Sequence, residues 1–335
     1  MTQYIDLLDF SPTVIRDLVK LAGELQDRKD LVHLKHQVVG LLFMNPSLRT
    51  LVSMQTAVAH LGGTSVVIQP GQGSWKLELR DGAVMDGDAV EHIREAMPVL
   101  AEYVDLLGVR CFAEGKNLAD DLADRPIRTM AEHFGKPFVN LESAASHPCQ
   151  ALADWKTLDD LSVPSKGKFV LSWAYHPKPL PFAVPQSALT MALLRGMEVT
   201  VLRPEGFDLP AGVVAQATVA AEQGGGTFKE TSDRDDALTG AHVLYAKSWA
   251  KPDAYGDPEA DRIAREPYRD WTVDESWFAP ARPDAKFMHC LPVRRNIKVT
   301  DAVLDGPRSI VVPQAGNRLH AQKAILAALS EGGLR

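Results

Sequence analysis

Apolar residues fall along this chain in two alternating rhythms: short unbroken runs, and longer stretches in which they recur three and four positions apart. Residues 37–44 (QVVGLLFM) form a run of the first kind and predict a strand buried on both faces. Ser11 followed by Pro12 opens a stretch of the second kind, with Val14, Ile15, Leu18, Leu21 and Ala22 on one face of a helix. Residues 48–61 predict a helix ending at Gly62-Gly63, and residues 64–69 a second strand. A helix at 91–103 then separates that strand from further buried strands at 105–109 and 137–141. Strands alternating with helices in this way predict a parallel sheet with crossover helices.

A second series follows a helix at 147–161 and a turn at 163–167. Its strands are expected at 168–173, 197–202, 242–246, 287–289 and 309–313, with helices between several of them. The polar, Pro-rich stretches 251–271 and 279–284 interrupt this series and are expected to be loops. The expected fold class is α/β, with two doubly wound parallel-sheet domains at residues 1–145 and 146–316. A final helix at about 317–335 is expected to pack back on the first.

The length of 335 residues agrees with two domains. Hydrophobic residues at 45% supply a sizeable core. A formal net charge of −7 argues against nucleic acid or an anionic membrane as the main partner, so an anionic substrate would need a local basic pocket. No basic, apolar leader opens the chain, and no apolar run approaches the ~18–20 residues of a membrane span. Cys111, Cys149 and Cys290 are far apart and odd in number, with neither metal-ligand spacing nor a disulfide framework. A cytoplasmic protein with no metal and no cofactor is the expectation.

Three segments carry candidate chemistry, and each follows a strand, where open α/β sheets gather ligands. Asn45-Pro46-Ser47-Leu48-Arg49-Thr50 opens a helix and offers backbone N–H groups, two hydroxyls and a guanidinium to an anion, although Ser47 could equally be a plain helix cap. His147-Pro148-Cys149-Gln150 offers an imidazole and an amide to a carbonyl oxygen that gains charge. His289-Cys290-Leu291-Pro292-Val293-Arg294-Arg295-Asn296 turns at its proline and then presents two arginines. Cys290 is read as a packing or backbone-carbonyl residue rather than a nucleophile, because no His/Asp arrangement around it is identifiable.

These three boxes, in this order and approximate spacing, resemble the signatures of the aspartate/ornithine transcarbamylase family. The resemblance implies a carbamoyl-phosphate domain followed by an amine-substrate domain, and a homotrimer with shared active sites. The Ser-Met-Gly loop of ordinary ornithine transcarbamylases is missing, and Tyr245-Ala246-Lys247-Ser248-Trp249 stands in its place. With Gly73-Ser74-Trp75-Lys76-Leu77-Glu78, Met85-Asp86-Gly87-Asp88 and Tyr175-His176-Pro177-Lys178-Pro179, this resembles the N-acylornithine transcarbamylases. Acylation removes the α-ammonium charge, so an acidic partner for it would be buried without a cation.

Carried over motif by motif, the resemblance implies that Ser47, Leu48, Arg49, Thr50, Arg110, His147, Gln150, Cys290, Leu291 and Arg318 surround carbamoyl phosphate. Trp75 would reach the same ligand from a neighbouring subunit. Glu142, His176, Lys247 and Arg294 would hold the acylated ornithine, and Arg49, Arg110 and His147 would stabilise charge during transfer. Leu51 departs from the pattern, since many relatives carry Arg there.

Two positions bear on the acyl group and point in opposite directions. Acetyl-specific relatives have a Glu after the Met-Asp-Gly-Asp run that would repel a succinyl carboxylate; this chain has Val90, which removes the repulsion. Lys298 instead matches a lysine that is carboxylated in acetyl-type relatives. Because Val90 acts on the discriminating group directly, N-succinylornithine is preferred to N-acetylornithine as the expected substrate. The alternatives are a non-catalytic binding or regulatory protein of the same fold and, with less support, a nicotinamide-dependent dehydrogenase, for which no Gly-x-Gly-x-x-Gly turn is present.

Overall fold

The computed structural model describes residues 3–332 and Leu334; Met1 and Thr2 of the expected first domain, and Gly333 and Arg335 of the expected final segment, lie outside the described residues. The chain divides into two compact units. The first comprises residues 1–113, 123–149 and 318–335, and the second residues 114–122 and 150–317.

In chain order the first series runs β1 (Gln3–Tyr4), α1 (Pro12–Glu24), β2 (Val38–Phe43), α2 (Leu48–His60), β3 (Thr64–Ile68), β4 (Lys76–Glu78), β5 (Ala89–His92), α3 (Ile93–Tyr103), β6 (Leu106–Arg110), α4 (Leu118–Ala123), α5 (Arg125–Phe134) and β7 (Phe138–Glu142). The second runs α6 (Pro148–Asp160), β8 (Lys168–Trp173), α7 (Ala183–Leu194), β9 (Glu198–Leu202), α8 (Ala211–Gly224), β10 (Thr227–Thr231), α9 (Arg234–Leu238), β11 (Val243–Lys247), α10 (Pro258–Arg265), β12 (Lys286–Met288), α11 (Asp301–Leu304) and α12 (Val311–Ser330).

The first unit is built on a parallel sheet of order β1-β7-β6-β2-β3. From β2 the chain moves to one side, to β3, and later returns on the other side at β6. The switch point therefore lies at the carboxyl ends of β2 and β6, where Ser47 and Arg110 stand. Gly40 in β2 is required by close packing, because a Cβ there would come within 2.9 Å of the Leu107 side chain. The second unit repeats the plan with a parallel sheet of order β10-β9-β8-β11-β12. Its switch point lies between β8 and β11, the strands that lead to His176 and Lys247. Each sheet is covered by an apolar core: Met97, Met130 and Phe134 are among the buried residues in the first unit, and Trp277, Phe278 and Phe287 in the second.

Several expectations need correction. The stretch 309–313 is not a strand. Only Ser309 forms a bridge, to Phe287, and α12 begins at Val311. Pro313 falls in the first turn of α12, where its missing N–H is not needed, whereas inside a strand it would remove a ladder bond. Within the stretch 251–271, expected to be loop, α10 forms at Pro258, capped by Asp257, whose carboxylate accepts from the Glu259 and Ala260 N–H groups. The helix expected from 91 starts at Ile93, because residues 89–92 pair with β4. β10 was not anticipated: its alternating, half-polar pattern (TFKET) gives it the exposure of an edge strand. Finally, residues 114–122 interrupt the expected first domain and pack with the second unit, where the Tyr255 hydroxyl donates to Asp121 over 2.8 Å.

Candidate active site

In the first unit Ser47 caps α2. Its Oγ accepts the Thr50 N–H at 3.2 Å and donates to the Thr50 hydroxyl at 3.0 Å. The cap reading of Ser47 is therefore correct and is compatible with anion binding. The first N–H groups of a helix have no partner within it, and the helix dipole places partial positive charge there. Arg318 closes the group, its Nη2 donating to the buried Thr50 hydroxyl at 2.7 Å.

Arg110 ends β6 and is buried, its guanidinium carbon 4.3 Å from the Phe112 ring centroid. It is ion-paired with Glu142, the last residue of β7, which β-sheet register sets opposite it. The same Glu142 oxygen lies 3.3 Å from His147 Nε2. Burial works against the positive charge of Arg318. Cys149 and Glu142 favour that charge, and Arg110 and Arg49 add to the penalty. Three guanidinium groups thus share one field with a single carboxylate, an arrangement suited to a multiply charged anion. Cys149 is no nucleophile, since burial pushes its thiol up to about 12.

In the second unit His176 is buried after β8, and its ring orientation follows from its contacts. Nε2 accepts from Arg294 Nε at 3.1 Å, and Nδ1 lies 2.8 Å from the Lys178 carbonyl and 3.1 Å from the Lys178 backbone N. Burial, followed by the Lys298, Arg294 and Lys247 cations, lowers its pKa to about 4 against the backbone bond to Lys178. Lys247 ends β11, with Nζ 3.6 Å from Cys290 Sγ. Leu291 holds a left-handed φ of 54° ahead of a cis peptide to Pro292, and its N–H donates to His289 Nδ1 at 2.9 Å. Lys298 is buried, and burial first, then Lys247, takes its ammonium well below the ordinary lysine range. Arg265 and Arg294 act in the same direction, against Cys290.

The structure therefore joins Ser47, Thr50 and Arg318, and also Arg110, Glu142 and His147, in the first unit. It joins His176 with Arg294, and Lys247 with Cys290, in the second. Glu142, expected to hold the acylated ornithine, has its carboxylate on Arg110 and His147. Of the two arginines after Pro292, Arg295 is committed to Asp301 and Asp305. Trp75, just ahead of β4, and Val90, within β5, are exposed at 68% and 61%.

Three contributors escaped the sequence reading. Asp154, four residues after Gln150 in α6, accepts the Gln150 amide N–H at 2.8 Å. Gln314 donates to the same Asp154 oxygen at 2.8 Å and accepts the His289 backbone N–H at 3.0 Å. Arg265, paired with Asp261, donates to the His176 carbonyl at 3.0 Å. The four-residue spacing of Gln150 and Asp154 was a usable signal; the others lie too far along the chain to have given one.

Models of two domains of one family match this chain. The carbamoyl-P binding domain of aspartate/ornithine carbamoyltransferase matches residues 2–160, and the Asp/Orn binding domain matches residues 183–329. The chain belongs to the aspartate/ornithine carbamoyltransferase family.

Among relatives of this carbamoyltransferase, the N-acetylornithine carbamoyltransferase of Xanthomonas campestris pv. campestris is 40% identical over 333 residues, covering 98% of both chains. The N-succinylornithine carbamoyltransferase of Bacteroides fragilis is 39% identical over 308 residues, covering 91% of this chain and 92% of that one. Crystal structures of acetylornithine transcarbamylase match with a TM-score of 0.94 at 40% identity over 98% of this chain. One, covered to 99%, is complexed with acetylcitrulline; another, covered to 100%, is a Glu-to-Val mutant complexed with carbamyl phosphate and N-succinyl-L-norvaline. Among the described residues no helix is long and apolar enough to cross a membrane, and no group of three or more His, Cys, Asp or Glu could hold a metal ion.

Proposed function

We propose that this protein transfers the carbamoyl group of carbamoyl phosphate to the δ-amine of an N-acylornithine, releasing the N-acylcitrulline and phosphate in arginine biosynthesis. The observation that carries the reading is the gathering of Arg110, Arg318 and Arg49 at the switch point of the first unit, within a chain whose relatives bear these names. A non-catalytic role would not need such a costly concentration of cations, two of them, Arg110 and Arg318, buried.

Carbamoyl phosphate would meet Ser47, Leu48, Arg49, Thr50, Arg110, His147 and Arg318 through its phosphate and carbonyl oxygens. Gln150, Cys290 and Leu291 would meet its carbamoyl end. The neutral δ-amine attacks the carbamoyl carbon, the C–N bond forms, and the C–O bond to phosphate breaks. The amine proton leaves on phosphate, which is itself the base. Arg49, Arg110 and His147 stabilise charge on the carbonyl and the leaving phosphate, and the protein mainly positions two reactants. Glu142, His176, Lys247 and Arg294 would hold the acylated ornithine, His176, Lys247 and Arg294 through its carboxylates.

The acyl group is read as succinyl. Val90 carries no charge to repel the additional carboxylate, and the relative whose Glu was changed to Val is complexed with a succinylated amino acid. Lys298 is proposed to be carboxylated: the neutral amine that burial favours adds to carbon dioxide and gives up a proton to solvent, and the resulting carbamate anion would neutralise the cations around it. Trp75 is assigned to the carbamoyl-phosphate site of a neighbouring copy in a cytoplasmic homotrimer, which would also cover its exposed ring.

The test supplies purified protein and carbamoyl phosphate with ornithine, N-acetylornithine and N-succinylornithine in turn, and measures the citrulline products. Turnover of N-succinylornithine above N-acetylornithine is expected. Turnover of free ornithine alone would overturn the N-acylornithine reading, and no turnover at all would favour the non-catalytic one.

A further inference from the structure

Gln150, Asp154 and Gln314 form a buried relay, and its chemistry leaves one arrangement. The backbone N–H of His289 can only donate, so the Gln314 oxygen faces it at 3.0 Å and the Gln314 amide nitrogen faces Asp154. Asp154 Oδ1 receives that N–H and a second one from Gln150, each at 2.8 Å. An oxygen that accepts two amide hydrogens cannot also present a proton to either. Gln150 is therefore held with its nitrogen toward Asp154. Its Oε1 is buried and has no hydrogen-bond partner among the described residues. Exposure of Gln150, Asp154 and Gln314 is 1%, 1% and 0%, so a flipped Gln150 amide would set its oxygen against the Asp154 carboxylate oxygen with no water to relieve it.

We infer that Asp154 is a positioning residue that fixes Gln150 as a hydrogen-bond acceptor, and thereby makes the site select a carbamoyl donor over an acyl phosphate lacking an amide N–H. The inference rests on the proposed function, in which Gln150 meets the carbamoyl group. The amino group of carbamoyl phosphate satisfies Gln150 Oε1. Acetyl phosphate, with a methyl in that place, leaves the oxygen desolvated and unpaired. A site built around a polar group discriminates strongly against a ligand that lacks its partner.

The test compares the dissociation constants of carbamoyl phosphate and acetyl phosphate, measured by calorimetry on wild-type protein, Asp154→Leu and Asp154→Asn. Wild-type protein should favour carbamoyl phosphate. Asp154→Leu, which removes the acceptor at similar size, should shrink that preference by about tenfold. Asp154→Asn, which keeps an acceptor oxygen, should retain it. If circular dichroism shows that Asp154→Leu does not fold, Gln314→Met, which frees one side of the relay, should shrink the preference in the same direction. A preference unchanged in the folded variant overturns the inference while leaving turnover by the wild-type protein intact. Wild-type protein that binds neither phosphate overturns both the inference and the function on which it rests.

Discussion

Arg318 Nη2 donates to the Thr50 hydroxyl over 2.7 Å, although 268 positions separate the two residues. Thr50 in turn receives the Ser47 hydroxyl, so the start of α2 and a residue of α12 are tied together through one oxygen. Arg318→Met should weaken phosphate binding about ten- to a hundredfold, the scale of a lost charge-assisted hydrogen bond. Thermal melts with and without phosphate check this. The ligand-induced rise in Tm should shrink, while the melt without ligand should hold, because a buried cation is exchanged for an apolar chain of similar length.

Glu142 is ion-paired with Arg110, the guanidinium proposed to meet the substrate phosphate. Replacing it by Gln removes a carboxylate that favours the charge of Arg318 and releases Arg110 from its ion pair. Glu142→Gln should therefore bind inorganic phosphate about tenfold more tightly while turning over more slowly, because Arg110 and His147 lose the group that orients them. Calorimetry and steady-state rates on the same preparation separate the two effects.

His176 gives the second unit a dependence on pH. Its folded pKa of about 4 lies below the unfolded value of about 6.5, so between those values the unfolded chain binds more protons. Its contribution to stability is complete above about pH 6.5 and is lost as pH falls toward about 4. Asp124, raised by burial to about 6, has the opposite slope in the first unit. The comparison that isolates His176 is therefore between wild-type protein and His176→Gln. From pH 7 to pH 5 the denaturant midpoint of the wild-type protein should move in the destabilising direction relative to that of the variant, in which the opposite slope of Asp124 is no longer offset by His176. Equal differences would remove His176 from the account.

Val90→Glu restores an anion where an additional acyl carboxylate is proposed to lie. Activity on N-succinylornithine should fall relative to N-acetylornithine by about tenfold or more, with carbamoyl-phosphate KM unchanged. A ratio of acyl substrates that does not move would mean that residue 90 lies away from the acyl group.

Much of this molecule was legible because buried parallel strands announce themselves. The runs leading to Phe43, Arg110, Trp173 and Lys247 are apolar on both faces, and a strand's end fixes where its next residue can act. Edge elements gave weaker signals: β10 alternates with half-polar residues, and β1 has only two residues. The apolar run 309–313 looked like a strand because burial, whether in strand or helix, produces the same short pattern. Within the site, residue types suggested an anion cradle, but pairing could not be read from them. Glu142 on Arg110, and Gln314 on Asp154, are partners set by tertiary folding across 32 and 160 positions.

The excursion of residues 114–122 into the second unit, with the return of 318–335 to the first, sets a limit on dissection of the gene. Neither unit is encoded by an uninterrupted stretch. A fragment stopping at 149 would lack Arg318 and keep a nine-residue insertion whose Asp121 has lost Tyr255. A fragment starting at 150 would carry a tail foreign to it. A separable version of either half would have to be made by deletion and rejoining at 113/123 and 149/318, or by circular permutation, rather than by simple truncation.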